Sequence, residues 1–127
     1  MGNINYPVGD FLIRVKNAAL ARGHQIIVPG TKSIERVAKC MEKMGYLGEV
    51  VKKDKEISAK LAYRAKEPVL INLKLVSKPG LRVYMSVDEL SKIKRPSQFI
   101  ISTSKGIVTT KEAKKLSVGG EVIAEIW

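Results

Sequence analysis

Residues 99–106 read Phe99-Ile100-Ile101-Ser102-Thr103-Ser104-Lys105-Gly106, an apolar run followed at once by three hydroxyls, a lysine and a glycine. This pattern predicts a buried strand that ends in a polar tip. Adjacent hydroxyls donate and accept hydrogen bonds in a small space, which suits the edge of a nucleobase or a phosphate oxygen. An ordinary turn rich in serine and threonine has the same composition, so this segment alone leaves both interpretations open.

Turn and strand signals surround this tip on both sides. Upstream, Pro79-Gly80 is the pair that a type II turn takes at its central positions. The alternating strand that follows this turn is expected to place Arg82 and Tyr84 on one face. Downstream, Gly119-Gly120 leads into a terminal strand over residues 121–127. If that strand pairs with the strand before the tip, the two polar loops share one edge of a sheet.

Helical signals in this half of the chain are short. Asp88-Glu89-Leu90 is expected to start a single helical turn. Thr109 and Glu112 have the spacing of a capping box, which opens a short helix over residues 111–116. The second half is therefore predicted to be mostly β, with one short helix.

The first half alternates between helical and strand periodicities. Apolar residues recur at helical spacing from about Pro7 to Ala21. Ser33 is placed as the N-cap of a second helix, which Gly45 ends. Alternating or apolar runs predict four strands, of which the last two form an antiparallel pair: 25–28, 47–51, 57–63 and 69–75.

Together these elements predict an α+β protein with two small lobes. Residues 1–76 form an N-terminal lobe that is αβαβββ-like, and residues 77–127 form the C-terminal, mostly β lobe. The boundary is placed at the turn that contains Pro79-Gly80.

The charge of the chain indicates a polyanionic partner. There are 23 Lys and Arg residues against 12 Asp and Glu, a formal net charge of +11 on 127 residues. Such a protein binds nucleic acid readily, because Lys and Arg displace the counterions condensed on phosphates. An anionic membrane is the competing surface. It is disfavoured, because no apolar run approaches the roughly 18 to 20 residues of a spanning helix and no basic helix has a large free apolar face.

The first lobe offers two further groups of candidate contacts. Arg14 and Asn17 share the polar face of the first helix, where they are placed to meet RNA; a solvated face with an Asp10–Arg14 pair is the alternative. Lys32 and Ser33 stand at the start of the second helix, where free backbone N–H groups favour an anion. A simple helix cap explains the second pair equally well.

Signals for catalysis, metal binding or secretion are weak. His24 is the only histidine, and it has no evident nucleophile partner. The only cysteine, Cys40, forms no internal disulfide and excludes a multi-cysteine zinc site. The N-terminus lacks a secretory signal, so we expect a cytoplasmic protein. We predict no catalytic residue, metal, cofactor or small-molecule substrate, and a nucleotide-processing enzyme is kept as a remote alternative.

Three segments of the second lobe resemble the signature segments of the family of small ribosomal subunit protein eight. They are Ser77-Lys78-Pro79-Gly80-Leu81-Arg82-Val83-Tyr84, Ser102-Thr103-Ser104-Lys105-Gly106 and Val118-Gly119-Gly120-Glu121. Their order and spacing match across the lobe. Residues 6–17 are similar to the opening helix of bacterial members, so the resemblance covers nearly the whole chain.

The resemblance implies a structural RNA-binding protein rather than an enzyme. Its ligand would be an irregular helix in the central domain of small-subunit ribosomal RNA (rRNA), bound early in assembly. The implied rRNA-binding residues of the second lobe are Ser102, Thr103, Ser104, Lys105 and Gly106, then Gly119, Gly120 and Glu121, and also Lys78, Pro79, Gly80, Arg82 and Tyr84. In the first lobe they are Arg14, Asn17, Lys32 and Ser33.

The resemblance also implies other partners. Neighbouring small-subunit proteins would contact the second lobe. The RNA-binding surface could equally recognise a messenger RNA that mimics the rRNA site, and the protein would then repress its translation.

Two departures from the family pattern stand out. Tyr6 occupies a position where many members have a helix-capping Asp, which leaves Asn5 or water to satisfy the first N–H groups. Residues 94–98, Lys94-Arg95-Pro96-Ser97-Gln98, replace a glycine-bearing loop. The added charge of this loop is expected to strengthen nonspecific RNA binding.

Overall fold

The computed structural model describes residues 6–93 and 97–127. It combines helices and strands, which confirms the predicted α+β class. The chain forms two compact units, one of them Pro7–Asn72 and the other Leu73–Trp127 together with Tyr6. The predicted lobes were residues 1–76 and 77–127. Compared with the predicted second lobe, the C-terminal unit also contains residues 73–76 and Tyr6.

The N-terminal unit packs two helices against a three-stranded sheet. Strand β3 lies in the centre of the sheet and runs antiparallel to both β1 and β2. Apolar side chains at helical spacing, such as Phe11, Leu12 and Met41, are completely buried. The elements in chain order are α1 (Pro7–Leu20), β1 (Gln25–Pro29), α2 (Lys32–Met44), β2 (Leu47–Lys53), β3 (Glu56–Leu61), β4 (Tyr63–Arg64) and β5 (Glu67–Pro68).

The second helix begins two residues earlier than the sequence suggested. Thr31 is its N-cap, because the Thr31 hydroxyl accepts a hydrogen bond from the backbone N–H of Ile34 at 3.2 Å. The assignment of Ser33 as the cap was therefore wrong, and Ser33 lies within the first turn. The predicted stop at Gly45 is confirmed, since Gly45 adopts the left-handed conformation with φ of 91°.

The antiparallel pair predicted for residues 57–63 and 69–75 is wrong. Strand β3 pairs with β1 and β2, whereas the later segment contributes a strand to the other unit. Between them β4 and β5 form a hairpin only two residues long on each side. Its turn residues, Ala65 and Lys66, both have positive φ, which matches the twist of a tight hairpin. Pro68 has no N–H to extend this ladder.

The C-terminal unit is built around one long strand, β10. Strand β8 pairs with one side of β10, and β6 and β7 pair with β10 as well, while β9 extends the sheet beyond β8. A cluster that includes Leu90, Phe99, Ile101 and Val122 fills the core. The elements are β6 (Leu73–Leu75), β7 (Tyr84–Met85), α3 (Val87–Ser91), β8 (Gln98–Thr103), β9 (Gly106–Thr109), α4 (Thr110–Leu116) and β10 (Gly120–Ile126).

The unit has two short helices where the sequence predicted one helix and a single helical turn. Thr109 and Glu112 form the expected capping box at the start of α4, and Ser86 and Glu89 form a second one at α3. Hydrogen bonds from Ser86 to the Glu89 carboxylate hold the pKa of that carboxyl below its ordinary value. Of the loop 94–98 only Ser97 and Gln98 are described, and Lys94, Arg95 and Pro96 lie outside the described residues, as does Asn5.

Candidate nucleic-acid interface

The hairpin between β8 and β9 carries the polar tip formed by residues 102–106, which we call the serine tip. Strand β8 ends at Thr103 and β9 begins at Gly106, so Ser104 and Lys105 make the turn. The Thr103 hydroxyl donates to the carbonyl of Gly106 at 2.8 Å and accepts from the N–H of Lys105 at 3.0 Å. Gly106 has φ of 108°, a conformation that strains any other residue. Thr103 and Gly106 therefore hold the shape of the tip.

The other two hydroxyls of the serine tip are available to a ligand. Ser102 is half-buried and Ser104 is exposed. Their hydroxyls have no hydrogen-bond partner among residues 6–93 and 97–127. The exposed ammonium of Lys105 lies next to them in the chain. The tip thus divides its hydroxyls between one that closes the turn and two that have no partner among the described residues.

The glycine pair before β10 lies directly beside the serine tip. Ser102 pairs with Glu121 across the β8–β10 ladder, so the two predicted loops do share one sheet edge. A Cβ at Gly120 would overlap the carbonyl oxygen of Ser102 and lie 2.9 Å from its carbonyl carbon. A Cβ at Gly119 would lie 2.8 Å from the Cα of Ser86. Both positions are therefore restricted to glycine by close backbone approach.

A row of side chains crosses this end of the sheet. Glu121 pairs with Ser102 on one side and with Tyr84 on the other, so these three residues occupy neighbouring positions on three strands. Directly paired residues of antiparallel strands project to the same face. Tyr84 is 67% exposed, which shows that this face is open to solvent. The row presents a hydroxyl, a carboxylate and an aromatic ring to a ligand.

Arg82 adds a positive charge to this row. Its Nη1 donates to Glu121 Oε2 at 3.1 Å, and its guanidinium carbon lies 5.3 Å from the centroid of the Tyr6 ring. The neighbouring residues Leu81, Val83 and Met85 line an apolar cavity instead. The predicted alternation of this segment is thus retained, although only Tyr84–Met85 is a paired strand.

Comparison with known proteins gives a consistent result over nearly the whole chain. A family model described as "Ribosomal protein S8" matches residues 6–127. This chain belongs to the ribosomal protein S8 family. Relatives named "Small ribosomal subunit protein uS8" include those of Mycoplasmopsis synoviae (38% identical), Enterococcus faecalis (39%) and Dictyoglomus thermophilum (40%). Each of these alignments covers 95% of this chain and 96% of the relative.

In this S8-family protein, a turn at residues 78–81 precedes Arg82, and we call it the basic turn. Lys78 and Leu81 exchange backbone hydrogen bonds at 2.9 Å, and Gly80 has φ of 82°, as a type II turn requires. Lys78 is exposed at one end of the turn. The turn places Lys78, Pro79 and Gly80 within the same unit as the serine tip.

Ser77 and Tyr6 hold the residues next to the basic turn through hydrogen bonds. Neither residue was predicted from the sequence to belong to the site. Ser77 is fully buried, and its hydroxyl accepts from Val83 N at 2.9 Å. The Tyr6 hydroxyl donates to the carbonyl of Ser77 at 3.2 Å. Burial raises the pKa of the Tyr6 phenol, so the phenol is neutral and can donate at physiological pH. Because Tyr6 and Ser77 are 71 positions apart, the sequence pattern gives no signal for this contact.

Replacing Ser77 by alanine is expected to destabilise the C-terminal unit. Ser77→Ala leaves the partly buried N–H of Val83 without its side-chain acceptor, which costs about 1 kcal/mol or more of unfolding free energy. Urea denaturation followed by circular dichroism measures this loss. Ser91→Ala is the matched control, because Ser91 is exposed and bonds only within its own helix. Equal stability of the two variants would contradict the anchoring role.

The candidates of the N-terminal unit are not part of this row. The Arg14 guanidinium donates to the carbonyl of Ile27 at 3.1 Å, so it ties α1 to β1. Asn17 is exposed on α1, and Lys32 and Ser33 are exposed in the first turn of α2. Whether these four residues contact RNA stays a prediction.

Other features of the described chain match structural roles. The His24 ring lies 5.3 Å from that of Tyr63, and Cys40 is a buried residue of α2. Among residues 6–93 and 97–127, no cluster of His, Cys, Asp and Glu could hold a metal ion. In the same ranges, no helix combines the length and apolar character needed to cross a membrane.

Proposed function

We propose that this protein is a structural constituent of the small ribosomal subunit that binds an irregular helix in the central domain of the rRNA during assembly. Membership of the ribosomal protein S8 family supports the ribosomal role, and relatives at 38–40% identity carry a small-subunit name. This role needs a shaped, basic surface and no catalytic group. The family therefore argues against the alternative of a nucleotide-processing enzyme.

One observation supports the RNA-binding surface most strongly: two free hydroxyls stand at a glycine-lined sheet edge, and one of them, Ser102, lies in a row with an exposed tyrosine. A regular RNA duplex hides its base edges in a deep and narrow major groove, so selective proteins read distorted sites where bases are unstacked. Small hydroxyls on a closely packed edge can approach such a site. The Tyr84 ring, 67% exposed, is suited to stack on an unpaired base.

Affinity and selectivity have different sources in this proposal. Each neutral hydrogen bond contributes about 0.5–1.5 kcal/mol, so Ser102 and Ser104 favour the correct RNA only when several contacts form together. The net charge of +11 supplies the affinity that depends on salt and that any RNA would share.

Chemical probing of full-length small-subunit rRNA tests this function. Purified protein is added to the rRNA, and backbone and base reactivities are compared with and without it. We expect protection confined to one irregular helix of the central domain and its immediate flanks. Protection spread evenly over many helices would contradict the proposal, because it would indicate a basic protein with no specific site.

A messenger RNA that contains the same irregular helix would bind the same surface. Translational repression by such binding adds no new chemistry, and it is the second function that this surface supports. A competition assay tests whether the two RNAs bind at one site. An mRNA fragment that mimics the helix should displace the rRNA helix from the protein. An mRNA fragment that binds alongside the rRNA would contradict a shared site.

A further inference from the structure

A contact network at the edge of the candidate interface connects Arg82 with Tyr6 and Glu121. Arg82 is held from two directions. The Tyr6 ring lies against its guanidinium group at 5.3 Å, and Glu121 Oε2 accepts from its Nη1 at 3.1 Å. The Arg82 side chain is 43% exposed and that of Glu121 is 23% exposed, so the pair is partly withdrawn from water.

The remaining donors of Arg82 are left for a ligand. A guanidinium group has five N–H bonds arranged in a planar fork. Nη1 donates to Glu121, the side chain is also hydrogen-bonded to that of Tyr6, and the guanidinium group has no further hydrogen-bond partner among residues 6–93 and 97–127. Such a fork matches the geometry of a phosphate group. Arg82 thus combines a restrained orientation with free phosphate-binding donors.

Glu121 is otherwise difficult to explain in an RNA-binding site. Its carboxylate lies in the row with Ser102 and Tyr84, where a phosphate backbone would be repelled by its charge. The hydrogen bond to Arg82 neutralises this charge locally. The carboxylate, which lies between Ser102 and Tyr84 in the row, also orients the guanidinium group.

We propose that Tyr6 and Glu121 are positioning residues that hold Arg82 in advance as a phosphate-binding group beside the serine tip. The proposal rests on the RNA-binding function proposed above and identifies how one cation of that surface is oriented. Tyr6 supports the face of the guanidinium group by a cation–π contact, and its hydroxyl is itself anchored on Ser77. Glu121 fixes one edge. Pre-ordering Arg82 reduces the entropy that RNA binding must otherwise remove.

Two substitutions of Tyr6 test the contribution of its ring separately from that of its hydroxyl. Tyr6→Leu removes the aromatic face and is expected to weaken binding to the irregular helix by about threefold to tenfold, since one long side chain must then be ordered on binding. Tyr6→Phe keeps the ring but loses the hydroxyl, which bonds to the carbonyl of Ser77 and to Arg82, so it should bind less tightly than the unaltered protein and more tightly than Tyr6→Leu. Equal affinity of the unaltered protein and the Tyr6→Leu variant would overturn the role of Tyr6.

The direction in which Glu121→Gln changes the affinity for RNA provides a second test. With Arg82 present, Glu121→Gln is expected to weaken RNA binding, because the guanidinium group loses its charged partner. In an Arg82→Ala background, the same substitution is expected to strengthen binding, because only the repulsion of phosphate is removed. A direct contact between Glu121 and RNA, or a purely structural role, predicts the same sign in both backgrounds, and that result would overturn the proposal.

A measurement on the free protein separates this proposal from the RNA-binding function. The Tyr6 ring current should shift the NMR signals of the Arg82 side chain upfield, and the shift should persist in Tyr6→Phe and vanish in Tyr6→Leu. Loss of RNA selectivity with the shift intact would count against the proposed function alone. Absence of the shift in the unaltered protein would overturn the positioning of Arg82.

Discussion

Replacing Gly120 by alanine should both destabilise the protein and abolish its selectivity for RNA. The new Cβ would overlap the carbonyl oxygen of Ser102 and lie 2.9 Å from its carbonyl carbon. Because the obstructing atoms are backbone atoms of the paired strand, no side-chain rotation relieves the clash. Overpacking of this kind costs about 1–3 kcal/mol, which lowers the melting temperature by roughly 5–10 °C in a chain of this size.

The effect on RNA binding should exceed the effect on stability. Relief of the clash requires β8 and β10 to separate at Ser102, and this moves the serine tip away from Glu121 and Tyr84. At a temperature where the variant is folded, we expect it to bind the irregular helix no better than a regular duplex. Fluorescence anisotropy with the two RNAs measures this difference.

Gly48→Ala is the matched control for Gly120→Ala. Gly48 also lies in a strand, but a Cβ there would be 3.7 Å from the nearest atoms of Lys60, an ordinary contact distance. We expect its unfolding free energy to change by less than about 1 kcal/mol. Equal melting temperatures of Gly120→Ala and Gly48→Ala would contradict the close approach of β8 and β10 at Gly120.

Removing the two free hydroxyls should reduce affinity for the correct RNA without changing stability. The double variant Ser102→Ala/Ser104→Ala loses two neutral hydrogen bonds to the ligand, about 1–3 kcal/mol together, or roughly 5-fold to 150-fold in affinity. Binding to a regular duplex should be nearly unchanged, because that affinity comes from charge. The unfolding free energy should also be unchanged, since neither hydroxyl has a partner among the described residues.

Thr103→Val is the informative comparison within the serine tip. Its hydroxyl closes the turn through the bonds to Gly106 and Lys105, so its removal should lower the unfolding free energy by about 1 kcal/mol. Ser91→Ala, outside the interface, should affect neither property. An equal loss of affinity on both RNAs in the double variant would exclude Ser102 and Ser104 as selective contacts.

Local chemistry made much of the fold predictable. The capping box of Thr109 and Glu112, the stop at Gly45 and the turn at Pro79-Gly80 each depend on residues only a few positions apart. The sequence therefore carried enough information to place these elements. The assignment of Ser33 as a cap failed because Thr31 has the same chemistry two positions earlier, and the pattern did not distinguish them.

Long-range partners were less predictable. The strand character of residues 73–75 was apparent from the sequence. An alternating pattern does not indicate which other strand a segment pairs with, however, and β6 pairs with β10 about 50 positions away. The contact of Tyr6 with Arg82 is non-local in the same way. The proximity of the serine tip and Gly120 was foreseen only on the condition that their strands pair, which β8 and β10 do.

The most direct test of this account is a salt-dependent titration of the purified protein against two RNAs of equal length. One is the irregular central-domain helix, and the other is a regular duplex. We expect tighter binding to the irregular helix and a preference that persists as salt rises, because hydrogen bonds of the serine tip add to a shared electrostatic contribution. Equal binding of the two RNAs that weakens in parallel with salt would contradict specific rRNA recognition.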